Sequence, residues 1–299
     1  MELKWYAAEI FEPHLAISLF SALVGISAAA YYGEVHPYLS FLVVAGALLA
    51  QMSANMMDDY FDYNIGIDKE TIKTRFSGGS KVMEKRLVDP KNILLLSVVA
   101  MALAGAISLY LLRQNPAILP LLIVGALSIP LYAAYLVKLP FMAELTVAVN
   151  FALISAGAFM VSGGYAAIPY PLLFSIIPVG LVCGNALLVN EVPDRKTDRK
   201  YGRKSGAVML YDPKRIASYY ALLQSAAYII VAAGSLFGYL PIYSLAVLAA
   251  IPLSASVFRA IGSYKSPASY VRGMAAHASG TAAFLVLLSA SYLLALAIA

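Results

Sequence analysis

The chain has 299 residues, of which 61% are hydrophobic and only 12% are charged. Soluble domains carry about 25% charged residues, so this composition excludes a soluble globular protein and predicts an all-α, polytopic membrane protein. The single cysteine, Cys183, excludes an intrachain disulfide. The opening stretch MELKWYAAEIFEPH has three glutamates and no apolar core, so we expect no cleavable signal peptide.

Nine apolar segments follow one another, each long enough to cross about 30 Å of hydrocarbon, which takes roughly 20 residues. Their predicted bounds are Leu15–Tyr32, Tyr38–Met57, Asn92–Leu112, Ala117–Val137, Phe141–Gly163, Pro171–Asn190, Ile216–Leu236, Leu240–Phe258 and Ala278–Ala299. The stretch Lys138-Leu139-Pro140 separates the fourth segment from the fifth, because a residue before proline disfavours the helical conformation. The sequence therefore predicts nine transmembrane helices in a single membrane-embedded domain, residues 1–299.

The basic residues are distributed unevenly around these segments. If the N-terminus is cytoplasmic, twenty of the 21 Lys and Arg residues fall on the cytoplasmic side and only Arg113 falls outside. Most of them lie in two long loops, about 63–91 and 191–215. Because cytoplasmic loops are enriched in Lys and Arg, we expect the N-terminus and both long loops to be cytoplasmic and the C-terminus to be outside the cell membrane.

Two short acidic motifs with the same spacing stand at the predicted cytoplasmic ends of the second and sixth helices. The members are Asn55, Asp58 and Asp62 in the first motif, and Glu191, Asp194 and Asp198 in the second, each 136 positions after its counterpart. The spacing i, i+3, i+7 places three oxygen-bearing side chains on one face of a helix. The shared offset also suggests two related halves, helices two to five and six to nine, with the first helix appended.

The chemistry of these motifs suits a hard cation. Mg²⁺ prefers oxygen ligands and takes one or two carboxylates together with substrate phosphates. Zinc is disfavoured, since there is one cysteine and the three histidines, His14, His36 and His277, are far apart in the sequence. We hypothesise that the two motifs face each other and hold one or two Mg²⁺ ions against a diphosphate. The alternative is that the carboxylates are solvated at a membrane surface.

Basic residues near the motifs fit the same hypothesis, since fixed cations stabilise the charge that grows on a departing diphosphate. The candidates are Arg75, Lys81, Lys138, Arg203 and Lys204. In the loop that contains Arg75 and Lys81, Gly78-Gly79 frees backbone N–H groups to approach an anion. The competing interpretation is that these residues orient the protein and contact anionic lipid.

Polar residues inside the predicted helices are further candidates. Glu144 and Asn150, on the fifth helix, either bind a hydroxyl of an acceptor or bridge neighbouring helices, and Asn185 on the sixth helix has the same two interpretations. The sequence leaves both roles open.

Taken together, these stretches resemble the UbiA superfamily of intramembrane prenyltransferases. The resemblance rests on DDYFDYNIGID with a following Gly-Gly-Ser loop, on YLVK, on AELTVA and on NEVPDRKTDRKYGRKS. It implies a bundle around a central cavity that is open laterally to lipid and capped by the loops 63–91 and 191–215. It also implies Mg²⁺-dependent transfer of a prenyl group from a polyprenyl diphosphate to an aromatic or lipid acceptor. The expected partners are these substrates and membrane lipid, and no nucleic acid is expected.

The resemblance assigns roles residue by residue. Asp58, Asp62, Asp194 and Asp198 become the metal carboxylates, while Glu191 stands where the family usually has Asp or Asn. A second register of the first motif brings in Asp59 and Asp68 and omits Asn55. The expected catalytic residues are Asp62, Asp198, Lys138 and Tyr135.

The acceptor is a separate question. Gly66-x-Asp68, the Gly-Gly-Ser loop and Gly202-Arg203-Lys204-Ser205 resemble the menaquinone branch, which prenylates 1,4-dihydroxy-2-naphthoate with loss of CO₂. Other acceptors remain open: a glycerol-based lipid alcohol, 4-hydroxybenzoate or a haem-like ring. A transporter or Mg²⁺ channel is the alternative from another class, and it would carry charges near mid-membrane.

Overall fold

The computed structural model describes residues 5–6, 15–74 and 76–298, and this part of the chain is helical, without strands. In chain order the helices are α1 (Leu15–Tyr32), α2 (Pro37–Ile65), α3 (Pro90–Gln114), α4 (Leu119–Ala134), α5 (Met142–Gly163), α6 (Leu173–Glu191), α7 (Arg195–Lys200), α8 (Gly206–Leu210), α9 (Pro213–Leu236), α10 (Ile251–Gly262) and α11 (Pro267–Ile298). Short 3-10 segments lead into α4, α6 and α10. Nine helical stretches of the described chain are long and apolar enough to span a membrane, which confirms the predicted fold class.

Two helices extend by eight or more residues beyond their predicted bounds. Helix α2 continues past Met57 to Ile65 and ends at Gly66, which has a left-handed conformation (φ 88°) and whose N–H bonds to the Asp62 carbonyl at 2.9 Å. Helix α11 begins at Pro267, eleven residues before the predicted start. In both cases the helix continues into polar sequence. Hydropathy predicts only the apolar part of a helix, so it misses these polar turns.

Matching start signals set the helices that follow the two long loops. The Asp89 side chain accepts from the Lys91 N–H at 2.9 Å, and Asp212 accepts from the Lys214 N–H at 3.0 Å. Proline follows each aspartate at the first helical position, where its missing N–H costs nothing. The same Asp-Pro-Lys signal after each long loop agrees with two related halves, which stays a prediction.

Helices α1, α5 and α6 form the centre of the bundle, and α6 is the most buried of the spanning helices. Hydroxyls join them where the backbones approach, as in the bond from Ser155 Oγ to the Ser21 carbonyl at 2.6 Å. Large apolar side chains such as Phe41, Leu95 and Phe237 are exposed on the outer surface, where lipid would cover them. The central helices thus fix the ends of α2 and α6 relative to each other.

The two long loops meet at the end of the bundle where α2 and α6 terminate. Lys200 Nζ lies 2.6 and 2.8 Å from the two carboxylate oxygens of Glu70, although the two residues are 130 positions apart. The Tyr201 hydroxyl donates to Glu70 Oε1 at 3.0 Å and to the Gly66 carbonyl at 3.3 Å. These contacts join the loops across the polar end of the bundle.

Candidate active site

A cavity of about 930 Å³ runs between α2, α3, α4, α5 and α6. Most of its wall is apolar, but one end is lined by carboxyl groups. The acidic residues at that end are Asp58, Asp59, Asp62, Asp68, Glu191, Asp194 and Asp198, and Asn55 lines the cavity beside them. Among the described residues only Lys73 and Arg203 supply basic side chains to the cavity. The structure therefore brings all six members of the two acidic motifs to one cavity, with a large excess of acidic groups.

The first motif lies on the continuous helix α2, as its spacing predicts. Asn55, Asp58 and Asp62 all line the cavity, and the Asn55 Oδ1 atom accepts from Gln51 Nε2 at 2.6 Å. Asp59 accepts the Ser80 backbone N–H at 3.1 Å and so ties the following loop to α2. Both registers of the motif therefore lie at the same end of the cavity.

The second motif departs from the predicted single helical face. Helix α6 ends at Glu191, a turn covers 192–194, and α7 begins at Arg195. Pro193 explains the break, because it has no N–H to donate and its ring clashes with the preceding helical turn. Glu191, Asp194 and Asp198 therefore reach the cavity from two helices rather than from one.

Arg203 connects the two motifs directly. Its Nη2 atom pairs with Asp62 and lies 3.4 Å from Asp58 Oδ1, and its backbone N–H bonds to the Asp198 carbonyl at 2.9 Å. Burial lowers the pKa of the Arg203 guanidinium, but the carboxylates of Asp62, Asp58 and Asp198 outweigh burial and raise that pKa well above its ordinary value. Arg203 thus stays cationic and occupies the place between the carboxylates where a cation is needed.

Burial also raises the pKa values of Asp194 and Asp198, the two acids of the second motif that lie outside the spanning helices. The pKa of Asp198 is raised to about 7, mostly by burial, against the lowering effect of Arg203 and with a smaller raising effect of neighbouring Asp194. Burial raises the pKa of Asp194 to about 6, against the lowering effect of Lys81. Both shifts have the sign expected of carboxylates that lack sufficient positive charge nearby.

Lys81, a predicted diphosphate-binding residue, points into the first loop and makes its contacts there. The Lys81 ammonium donates to the Asp68 backbone carbonyl and to Thr71 Oγ1 at 2.6 Å, and it lies 3.6 Å from Asp68 Oδ1. Its side chain is buried within the loop, and the residue is absent from the cavity wall. Lys73, which the sequence analysis did not select, lines the cavity and donates to the Gly79 carbonyl. Arg75 lies outside the described residues.

Tyr135, Lys138 and Lys204 are likewise not among the residues of the cavity wall. Tyr135 and Lys138 border a 3-10 turn, Leu136–Lys138, and both are exposed. Lys204 contributes its backbone instead: its N–H bonds to the Val137 carbonyl at 2.8 Å, and its carbonyl accepts the Phe141 N–H at 3.0 Å. The Lys204 backbone therefore joins the loop before α8 to the Leu136–Lys138 turn and to the start of α5.

The polar residues of the central helices take distinct places. Glu144 Oε1 accepts the Gly206 backbone N–H at 2.6 Å and so holds α8 against the start of α5. Asn150 lines the cavity and accepts from Ser128 Oγ at 2.9 Å, which also bridges α5 to α4. Asn185 bridges α6 to α9 through Gln224 Oε1 at 3.1 Å. Of these three residues, only Asn150 lines the cavity, where it can contact a bound molecule.

The structure also brings to the site polar residues that the sequence motifs do not indicate. Gln51, Tyr132 and Asn190 line the cavity near the carboxyl groups, and the Tyr132 side chain is close enough to Arg203 to raise the pKa of its guanidinium. Asn190 could have been found as the neighbour of Glu191. Tyr132 could not, because nothing in the pattern distinguishes it among 21 tyrosines.

The donor set fits a magnesium ion that shares its coordination with a substrate. No three His, Cys, Asp or Glu side chains in the described chain converge closely enough to hold an ion by themselves. Arg203 engages Asp58 and Asp62, and Lys81 engages Asp68. Mg²⁺ usually takes only one or two carboxylates and completes its shell with phosphate oxygens and water, so facing carboxylates with excess negative charge suit it.

Residues 18–280 match the UbiA prenyltransferase family. A 1,4-dihydroxy-2-naphthoate octaprenyltransferase from Bacillus subtilis (strain 168) is 25% identical over 210 residues, which cover 68% of this chain and 65% of the relative, just under two thirds of its length.

Two solved structures share the fold over nearly the whole chain. A digeranylgeranylglyceryl phosphate synthase has a TM-score of 0.65 at 17% identity and covers 97% of this chain and 98% of its own. A UbiA homologue from Archaeoglobus fulgidus, bound to DMAPP and Mg²⁺, has a TM-score of 0.60 at 12% identity and covers 97% of this chain and 100% of its own. At such identities these likenesses establish the fold alone, whereas the family match spans most of the sequence: the chain belongs to the UbiA prenyltransferase family.

Proposed function

We propose that this membrane protein transfers a prenyl group from a prenyl diphosphate to an acceptor, with Mg²⁺ as cofactor. The observation that carries the proposal is the polarity of the cavity: a long apolar space ends in a cluster of seven carboxyl groups. A prenyl diphosphate has the same polarity, with an apolar tail and an anionic head. An anionic head approaches carboxylates only when cations lie between them, and the DMAPP-bound relative contains Mg²⁺ with such a donor.

The residues divide into two groups. Asp58, Asp62, Asp194 and Asp198 would hold the metal, with Glu191 and Asp68 beside them. When bound, Mg²⁺ supplies positive charge to the diphosphate oxygens and makes diphosphate a better leaving group. Arg203 and Lys73 are the basic side chains on the cavity wall that can contact the remaining oxygens, and the planar guanidinium of Arg203 suits a bidentate contact.

The reaction then follows from the surroundings of the head group. The bond between C1 of the prenyl group and oxygen breaks, and its electron pair leaves with diphosphate, where Arg203 and Lys73 stabilise the new charge. The apolar wall excludes water that would quench the allyl cation. A carbon of an electron-rich ring forms the new bond to C1, and the ring then loses a proton, or CO₂ where the attacked carbon carried a carboxylate.

For the acceptor we propose an aromatic ring of the 1,4-dihydroxy-2-naphthoate type, as in quinone biosynthesis. Support comes from the Bacillus subtilis relative and from the spacing of the Gly66-x-Asp68 stretch. Asn150, with its oxygen engaged by Ser128, offers a polar contact at the cavity wall for such an acceptor. The test is purified full-length protein with geranylgeranyl diphosphate, Mg²⁺ and, in separate reactions, 1,4-dihydroxy-2-naphthoate, 4-hydroxybenzoate, a glycerol-phosphate lipid alcohol and haem.

A prenylated naphthalene product with equimolar diphosphate is the expected result. If only one of the other acceptors gives a product, the proposed acceptor is wrong but the proposed prenyl transfer stands. No diphosphate release with any acceptor would contradict the proposed function itself.

We further propose that the acidic end of the cavity faces the cytoplasm, because the two long basic loops lie at that end. A cysteine at exposed Lys200 in a Cys183→Ser background would report the orientation. It should react with a membrane-impermeant thiol reagent only in inside-out vesicles, and labelling in right-side-out vesicles would reverse the assignment.

A further inference from the structure

Two sets of glycines inside the spanning helices differ in what surrounds them. At Gly25, Gly180 and Gly184 an added Cβ would lie 2.0 to 3.0 Å from a backbone carbonyl of a neighbouring helix. These glycines allow close helix packing, and any side chain there would separate the helices. Their presence has a structural reason.

Three other glycines have no such reason. Gly105, Gly125 and Gly157, on α3, α4 and α5, line the cavity. An added Cβ would meet nothing within 4 Å at Gly105, and its nearest neighbour would be 3.9 Å away at Gly125 and at Gly157. None of the three has a positive φ. Glycine is the least favourable helix residue after proline, so glycines that neither packing nor backbone conformation requires indicate space kept for an occupant.

The depth of these positions can be measured along the helices from the acidic end. Gly125 precedes Tyr132, which lies beside Arg203, by seven residues, or about 10 Å along α4. Gly157 lies opposite Leu121, which precedes Tyr132 by eleven residues, or about 16 Å. The two glycines therefore stand at successive depths in the apolar part of the cavity.

We propose that Gly125 and Gly157, the length-selecting pair, determine which prenyl chain lengths the enzyme accepts. This inference rests on the proposed function. A side chain at Gly125 narrows the cavity close to the head group, so it interferes with every tail longer than one isoprene unit. A side chain at Gly157 narrows it further down, so it interferes only with long tails.

The test compares full-length wild type, Gly125→Leu and Gly157→Leu in detergent, with dimethylallyl, geranyl and geranylgeranyl diphosphate as donors. The readout is the ratio of kcat/KM for each longer donor to that for dimethylallyl diphosphate. A buried methylene is worth about a factor of four in binding, so displacing two of them lowers the ratio about tenfold or more. We expect this loss for geranyl and geranylgeranyl donors in Gly125→Leu, and for the geranylgeranyl donor alone in Gly157→Leu.

Gly262→Leu is the matched control. Gly262 ends α10 away from the cavity, and its added Cβ would lie in ordinary contact, 3.8 Å from Ala217 Cβ. Its donor ratios should equal those of wild type. The variants Gly125→Ala and Gly157→Ala should unfold at or above the wild-type temperature, because the added carbon meets open space.

The outcomes separate the two proposals. A wild type that transfers none of the three donors overturns the proposed function. A wild type that transfers them, with donor ratios unchanged in both leucine variants, overturns the length-selecting pair alone. If a leucine variant fails to fold, the alanine variants decide by the same ratios, and destabilised alanine variants would show that these glycines serve packing.

Discussion

Replacement of Arg203 by glutamine tests the electrostatic account of the site most directly. Arg203 pairs with Asp62, and both side chains are only 13% exposed. Removing one partner of a buried ion pair typically costs about 3–5 kcal/mol, because the other charge stays buried without compensation. At roughly 2 °C per kcal/mol for a chain of this size, Arg203→Gln should unfold about 6–10 °C below wild type in EDTA.

Magnesium should reverse much of this loss. If Mg²⁺ binds among the carboxylates that Arg203 neutralises, it will stabilise the variant more than the wild type. Saturation at a hundredfold excess over Kd is worth about 2.7 kcal/mol, so binding to the variant alone would close about half or more of the gap between variant and wild type. Thermal unfolding of detergent-purified protein, with and without Mg²⁺, measures both effects.

The control is Arg199→Gln. Arg199 is exposed on α7 and lies over the Tyr211 ring at 5.0 Å, away from the carboxyl cluster. It should unfold close to wild type in both conditions. Equal stability of Arg203→Gln and wild type in EDTA, or equal stabilisation of both by Mg²⁺, would refute the idea that Arg203 occupies the place of a cation.

The remaining predictions concern single positions. Asp62→Asn and Asp198→Asn should each lower kcat/KM about 10²–10³-fold while the protein stays folded and membrane-inserted, and near-wild-type turnover in both would contradict the assigned metal site. EDTA should abolish diphosphate release and added Mg²⁺ should restore it; release that persists in EDTA would exclude a metal role. Glu144→Ala should lower the unfolding free energy by about 1–3 kcal/mol, because it leaves a buried N–H without its acceptor, and an unchanged unfolding temperature would argue against that tether. Lys73→Met should raise the KM for the donor, whereas Lys81→Met should lower the unfolding temperature. A raised KM in Lys81→Met and an unchanged KM in Lys73→Met would show that Lys81 contacts the substrate instead.

Much of the architecture follows from the sequence because it depends on quantities that the sequence records directly. Segment length and hydropathy predict nine spanning helices, since every backbone polar group in lipid must be satisfied within a helix. The equal spacing in the two acidic motifs predicts that they act together, and the structure places them in one cavity. Helix ends are less predictable: α2 extends to Ile65 because nothing before Gly66 interrupts it.

Side-chain roles near the site are harder to predict than its location. The loop containing Lys81 turns back on itself, so a lysine that the sequence places beside the motif neutralises Asp68 instead of facing the cavity. The matched spacing predicts one helical face for the second motif, and this is wrong because Pro193 interrupts the helix between Glu191 and Arg195. Tyr132 reaches the site only because α4 packs beside α2, a contact that no local pattern encodes.

The position of charge along the cavity separates an enzyme from a transporter. Among its described lining residues, charged side chains occur only near the ends of α2 and α6 and in the adjoining loops, and on α2 none precedes Asp58. From Asp58 to Gly46 the α2 wall carries no charge for twelve residues, or about 18 Å, and only Gln51 and Asn55 offer polar side chains there. An ion that crossed here would lose most of its hydration without replacement. A prenyl diphosphate avoids that penalty, because its anionic head stays among the cations at one end while its tail occupies the apolar remainder. The asymmetry of the cavity therefore favours a molecule that enters and reacts at one end over an ion that passes through.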